Sequence, residues 1–224
     1  MIKNEISKKT IQRRRIMRYF IEATYEIIEE EGLEALTIRK ISDKAGYNSA
    51  TLYNYFSSLD NLIAFSSLCY LKNYSEDLQS YIEGHESSLD KYFRVWKCFC
   101  IHSFRNPDIY HKIFFKELSS SLSTSIREYY SIFPEYLQAN EIQEFREMLR
   151  GETINDRTRA SLESCIRDGF FAKEDEQNIV EISILIYEGM LDKIRNGIWK
   201  RGIEEASEKV IYHMRRSLQS YLLS

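Results

Sequence analysis

The chain has 224 residues, with 31 basic and 34 acidic side chains, eight glycines, two prolines and four cysteines. Apolar residues at 43% and charged residues at 29% describe a globular chain, long enough to bury a core in one or two domains, and exclude wholesale disorder. So few prolines and glycines leave little material for breaks and tight turns, which points to helices, and the longest uncharged stretch, Ala45–Leu59, is too polar to span a bilayer.

Met1–Thr10 carries Lys and Glu with no apolar run behind it, so it does not read as a secretory signal. Cys69, Cys98, Cys100 and Cys165 form no C-x-x-C pair and have no His at zinc-finger spacing, so they read as reduced, buried thiols in a cytoplasmic protein. The net charge of −3 hides an asymmetry. Residues 1–18 hold Lys3, Lys8, Lys9, Arg13, Arg14, Arg15 and Arg18 against Glu5 alone, whereas the rest of the chain is acidic. A basic arm on an acidic body can hold a polyanion at one end, although a solvated, frayed terminus fits the same charges.

The first predicted helix runs from about Thr10 to Glu31, with Ile16, Phe20, Ala23 and Ile27 as its apolar stripe and Gly32 as its stop. Thr37 is placed to cap a short helix, Ile38–Ala45, that turns Ile38, Ile41 and Ala45 inward, and Gly46 lies just past its end. Asn48 caps another short helix, Ser49–Tyr55, which carries Leu52, Tyr53 and Phe56. Ser57-Ser58-Leu59-Asp60 fits a capping box and opens a longer helix through Leu62, Phe65 and Cys69. Helix, three-residue turn, helix is the arithmetic of a helix-turn-helix. The second of the two helices begins with Ser49, Ala50 and Thr51, small residues that let a backbone approach base edges, and a helix N-terminus attracts phosphate.

The run Gly32, Leu36-Thr37-Ile38-Arg39-Lys40-Ile41-Ser42, then Ala45-Gly46-Tyr47-Asn48-Ser49-Ala50-Thr51-Leu52-Tyr53-Asn54-Tyr55-Phe56 and Leu62 resembles the DNA-binding domain of the tetracycline-repressor (TetR) family. The resemblance covers about residues 10–65. It implies an all-α protein with a three-helix DNA-binding domain over residues 1–58 and a helical ligand-binding and dimerisation domain over residues 59–224. It further implies that Thr37 and Arg39 touch backbone phosphates, that Tyr47, Asn48, Ser49, Ala50 and Thr51 face the major groove, and that Tyr53, Asn54 and Tyr55 reach phosphates on the flanking strand. Leu52 and Phe56 are core pegs on this reading and on their spacing alone. One position departs from the family pattern: Leu59 stands where a Lys is common, with Arg13–Arg15 available to replace the lost contact.

Beyond Asp60 further helices are expected. Ser87-Ser88-Leu89-Asp90 offers another capping box, and Asn106-Pro107 sets Pro in a first turn. Helices are then expected over Tyr110–Leu122, Ser125–Leu149 with a bend near Pro134, Asn155–Asp168, Glu176–Trp199 and Ile203–Leu222. In Glu176–Trp199 one apolar stripe is Ile179, Ile182, Ile186 and Gly189, and another is Ile184, Leu191, Ile194 and Ile198. Apolar residues on both sides of one helix suggest burial against its own core and against a second copy. The resemblance implies a homodimer joined through the last two helices and bound to a palindromic operator in double-stranded DNA. It also implies a small-molecule effector between the middle helices, with Trp96, Phe99, Cys100, Phe115 and Tyr187 as candidate lining, and the aromatic walls suggest an apolar or aromatic molecule.

An enzyme is the rival class. The glycines give neither a dinucleotide fingerprint nor a phosphate loop, only Asp108-x-x-His111 comes near a di-iron motif, and no G-x-S-x-G elbow is present. The expectation is a regulator without cofactor or metal, repressing until its effector binds. An adaptor that kept the fold but lost DNA binding is the alternative that Leu59 leaves open.

Overall fold

The computed structural model describes residues 7–84, 87–115, 128–134 and 143–223. Ten helices are labelled in chain order among the residues so described: α1 (Lys8–Glu31), α2 (Ile38–Ala45), α3 (Ser49–Tyr53), α4 (Leu59–Ile82), α5 (Ser88–Arg105), α6 (Pro107–Phe115), α7 (Gln143–Arg150), α8 (Ile154–Arg167), α9 (Glu176–Arg195) and α10 (Ile203–Leu218). Residues 128–132 are helical as well. The described residues form no strand beyond one antiparallel bridge between Phe171 and Leu222.

Each short N-terminal helix is fixed by its ends. Thr37 accepts the amide of Lys40 at the start of α2. At its end Gly46, at φ 76°, lets its own amide reach Asp43 and the amide of Tyr47 reach Ser42, 2.9 Å away, a closure that needs a left-handed residue. Asn48 then accepts both the amide and the hydroxyl of Thr51 at the start of α3. Five residues cannot hold a helix alone. Packing holds this one: Leu52 and Phe56 are buried, the Phe56 ring lies edge-on to Phe20 of α1 at 6.2 Å, and it meets Phe65 of α4 at 5.6 Å.

The long helix α4 belongs to both halves of the molecule. Toward α1 it offers Phe65 and Tyr70, whose hydroxyl donates to Glu29 at 2.6 Å. Toward the rest it offers Tyr74 and Leu78 to α5, which packs on α10 along its other side. Helix α8 rests on α7, α9 and α5, and α9 pairs with α10. The centre is aromatic: Tyr187 of α9 stacks on Phe104 at 5.9 Å, and Trp96 and Phe99 stand at 5.6 and 5.1 Å from it. All four cysteines are buried thiols, and burial pushes the Cys69 thiol up to about 11.

Several expected boundaries shift. Ser58, not Ser57, caps α4: its extended backbone puts its hydroxyl on the amide of Asn61. Ser87 precedes α5 but its side chain makes no capping bond, so no capping box forms there. Helix α3 stops at Tyr53, because the amides of Asn54 and Tyr55 turn back to Thr51 and Leu52 in a tighter turn. Helix α9 ends at Arg195 rather than Trp199: the amides of Ile198 and Trp199 both fold back onto the Lys193 carbonyl, which leaves Ile198 67% exposed and outside the stripe assigned to it. The helix expected over Ser125–Leu149 is broken at 133–134, beside Pro134, and its stretch 135–142 lies outside the described residues, as do 116–122 of the helix expected over Tyr110–Leu122. Helix α10 closes at Leu218 and hands over to a single tight turn, Gln219–Tyr221.

Candidate nucleic-acid interface and interior cavity

The turn between α2 and α3 stands on the surface. Thr37, Arg39, Asn48, Ala50, Tyr53 and Asn54 are exposed, and Tyr47, Ser49, Thr51 and Tyr55 are half-buried. The ten residues assigned to DNA are therefore all at least partly accessible, on either side in sequence of the buried pegs Leu52 and Phe56. Capping already uses part of their hydrogen-bonding capacity. The Asn48 carboxamide oxygen is occupied by Thr51, so Asn48 offers its NH₂ donors outward, and Thr51 offers a methyl group and oxygen lone pairs. Ala50 and the Thr51 methyl suit a thymine methyl, whereas Asn48 and Ser49 can meet base acceptors. Tyr53 is 54% exposed, which leaves its phenol available to a phosphate rather than to the core.

Tyr47 and Tyr55 carry a second duty. The Tyr47 ring packs on Phe20 at 5.4 Å and on Tyr19 at 6.2 Å, so it braces the turn against α1. Tyr55 lies under the guanidinium of Arg13, 5.3 Å from its ring centre. The pairing joins the basic arm to the end of α3, a contact that residues 42 apart in sequence gave no local sign of. Leu59, the position that departs from the family pattern, is half-buried at the first turn of α4 and packs against the core.

The basic residues of this edge are not equally available. Lys44 is held by Glu30 at 2.8 Å and Glu26 at 3.2 Å, which raises its pKa, and Lys40 pairs with Glu31. Arg39 lies 3.8 Å from Asp43, but its side chain is 91% exposed, where such a pair is weak and screened. Arg13 of the arm is paired in the same loose way, 3.6 Å from Glu128 across an exposed contact, so Arg39 and the arm are the cations nearest to hand for a phosphate backbone.

A separate cavity opens between α4, α5, α7 and α8. Its interior holds about 30 Å³, and the empty space is about 330 Å³ once its open mouth is counted. Trp96 and Phe99 line it, with Tyr74, Met148, Arg157 and Thr158. Cys100, Phe115 and Tyr187, the other expected lining residues, sit behind that wall: Cys100 is fully buried, and Phe115 and Tyr187 face each other at 6.3 Å. Arg157 was not singled out by sequence and is, among the described residues, the one charged residue on the cavity wall. Among the described residues no group of three or more His, Cys, Asp and Glu side chains could hold a metal ion, and no helix is long and apolar enough to cross a membrane.

Comparison with known proteins agrees with this geometry. Residues 20–64 match the family model described as bacterial regulatory proteins, tetR family. A stretch of 58 residues is 36% identical to the HTH-type transcriptional regulator PksA of Bacillus subtilis (strain 168), covering 26% of this chain and 28% of that protein. Across nearly the whole chain the fold is similar to that of a TetR transcription regulator from Haloarcula marismortui, at 20% identity and a TM-score of 0.55, with 93% of this chain and 99% of the other aligned. It is also similar to Thermus thermophilus FadR, a TetR-family transcriptional repressor solved in complex with lauroyl-CoA, at 13% identity and a TM-score of 0.54, covering 88% and 92% of the two chains. Residues 20–64 thus carry the helix-turn-helix segment that the tetR family model describes, and the fold around it is similar to that of solved TetR regulators.

Proposed function

We propose that the protein is a dimeric, sequence-specific DNA-binding regulator of transcription, acting in the cytoplasm as a repressor that a small molecule releases. The observation that carries the reading is the accessible start of α3: Asn48 and Ala50 are exposed and Ser49 and Thr51 half-buried, while Leu52 and Phe56 anchor them in the core. On this reading residues 1–58 bind DNA and residues 59–224 receive the effector and join two copies. Thr37, Arg39, Tyr53, Asn54 and Tyr55 grip phosphates, which positions the reading residues without adding sequence information.

The second copy is supported by the apolar surface of the last two helices. Leu185 and Tyr212 are each 60% exposed, Ile182 and Ile186 are half-buried beside them, and a side chain built at Gly189 would meet nothing within 4 Å. Two chains joined there form an isologous four-helix contact that presents two α3 helices to successive turns of one DNA face, about 34–36 Å apart, which is why the operator is palindromic.

Release follows from the position of α4. Tyr74 stands on the cavity and Phe65, nine residues earlier on the same helix, lies against Phe56 beneath α3. A molecule that favours a shifted α4 draws the dimer from its DNA-competent arrangement into a spread one, to the extent of its differential affinity for the two. The test is gel shift with DNA from upstream of the protein's own gene. A shift by the wild type that Tyr53→Ala abolishes, with dimerisation unchanged, supports the reading; an unaltered shift contradicts the site.

A further inference from the structure

Arg157 is 5% exposed, and it makes no ion pair among the described residues. Its Nε donates to the Gly151 carbonyl at 3.0 Å and its Nη2 to the Leu149 carbonyl at 2.8 Å. These are carbonyls at the open C-terminal end of α7, so one edge of the guanidinium fork caps a helix. The other nitrogen, Nη1, is buried and hydrogen-bonds nothing. Capping therefore accounts for half of the fork and leaves the positive charge without an anion among the described residues, in a wall that also carries Tyr74, Trp96, Phe99, Met148 and Thr158.

The chain is shaped to admit this arginine. A Cβ on Gly151 would come within 2.9 Å of the Arg157 Cγ and 3.0 Å of two backbone atoms, so the loop between α7 and α8 can close over the side chain only with glycine there. Phe114 adds its ring face, 5.6 Å from the guanidinium carbon. An arginine presents its donors in a plane that matches a carboxylate, and a buried cation is stable when an anion meets it.

We infer that this cavity binds an organic carboxylate: an acid whose carboxylate meets Nη1 of Arg157 and whose apolar or aromatic body lies against Trp96, Phe99 and Tyr74. The inference rests on the effector reading above and names its chemistry. The inner space suits a small head group, and the mouth brings the volume to the lower end of ligand sites, with the flexible Met148 side chain able to yield. An anionic molecule here would stand beside Tyr74 of α4, the helix that also carries Phe65.

The experiment uses the full-length protein with Trp199→Phe, so that Trp96 is its only tryptophan. Trp96 emission is titrated with phenylacetate and octanoate, with phenylacetamide and octanamide, and with sodium sulfate. A saturable response to at least one acid, at least tenfold weaker for its amide and absent for sulfate, is the expected result. Arg157→Gln removes the preference for acid over amide, and Arg157→Lys keeps part of it. If Arg157→Gln does not fold, the acid-to-amide comparison in the unmutated cavity still decides. Equal binding of acid and amide, a matching response to sulfate, or no saturable response to either acid overturns the inference. Gel shift on the same samples separates the two readings. DNA binding that persists while the acids fail sinks this inference alone, and acid binding without any DNA binding sinks the regulator and leaves the site.

Discussion

In α1–α3 a few pegs, Phe20, Ile41, Leu52 and Phe56, hold the helices together, and the surface above them displays amides, hydroxyls and methyl groups. In α5–α10 rings pack on rings around Tyr187, and the outward side of α9 and α10 displays Leu185 and Tyr212 instead. The contrast separates stability from recognition differently in each half. At the N-terminal end a core residue and residues proposed to meet DNA stand side by side within one five-residue helix, so neighbouring substitutions should have unrelated effects. In the larger half one buried surface serves both packing and the cavity, so a change there should move stability and ligand response together.

The largest expected effect is at Phe56. Phe56→Ala empties the junction with Phe20 and Phe65 and should destabilise the N-terminal helices by about 3–5 kcal/mol, read as a loss of cooperative unfolding or a lowered midpoint in urea. Three residues away, Tyr53→Ala should stay within about 0.5 kcal/mol of the wild type in the same experiment, yet weaken binding to a cognate duplex about tenfold through one lost phosphate contact. If the two substitutions affected unfolding equally, the separation between peg and reader would be wrong. On the opposite surface, Leu185→Asp should convert a dimer to a monomer in sedimentation at micromolar concentration without lowering the stability of the single chain. A wild type already monomeric there would remove the four-helix contact.

A smaller effect is expected from Arg13→Ala, which takes a cation from above Tyr55. It should weaken DNA binding on all sequences alike and reduce the slope of log affinity against log salt by about 0.9 if Arg13 neutralises one phosphate. The smallest concerns His102. Burial holds its imidazole below the ordinary value, against the opposing pull of Asp77 at 3.0 Å. The unfolded chain therefore takes up a proton first, and stability should fall as pH drops below about 6.5. His102→Gln should flatten that part of the stability profile.

The N-terminal half was legible because its signals are local. Thr37, Gly46 and Asn48 are cap residues at the positions where α2 begins, α2 ends and α3 begins, and each makes the bond its side chain or backbone freedom allows. Ser57 and Ser58 are chemically alike, so only the backbone geometry tells which one caps α4. The cavity was half legible: Trp96 and Phe99 carry an aromatic signal at helical spacing, but spacing does not say which of several rings faces empty space, and Cys100, Phe115 and Tyr187 lie one layer behind. Arg157 was not legible. In the stretch Asp156-Arg157-Thr158-Arg159 two arginines look equivalent, and the fold buries one while the other pairs with Glu176 at the surface. The tight turn between α7 and α8, which brings the Leu149 and Gly151 carbonyls onto Arg157, makes that difference.

The central claim is that the start of α3 reads a duplex. Selection of bound sequences from a pool of random duplexes tests it most directly, run in parallel on the wild type and on Ala50→Glu, which sets a carboxylate on the exposed edge above Leu52. The account predicts an enriched palindrome with half-sites about one helical turn apart for the wild type, and none for the variant, with both proteins dimeric and equally stable. Enrichment of the same motif by both, or of no motif by the wild type, would contradict it.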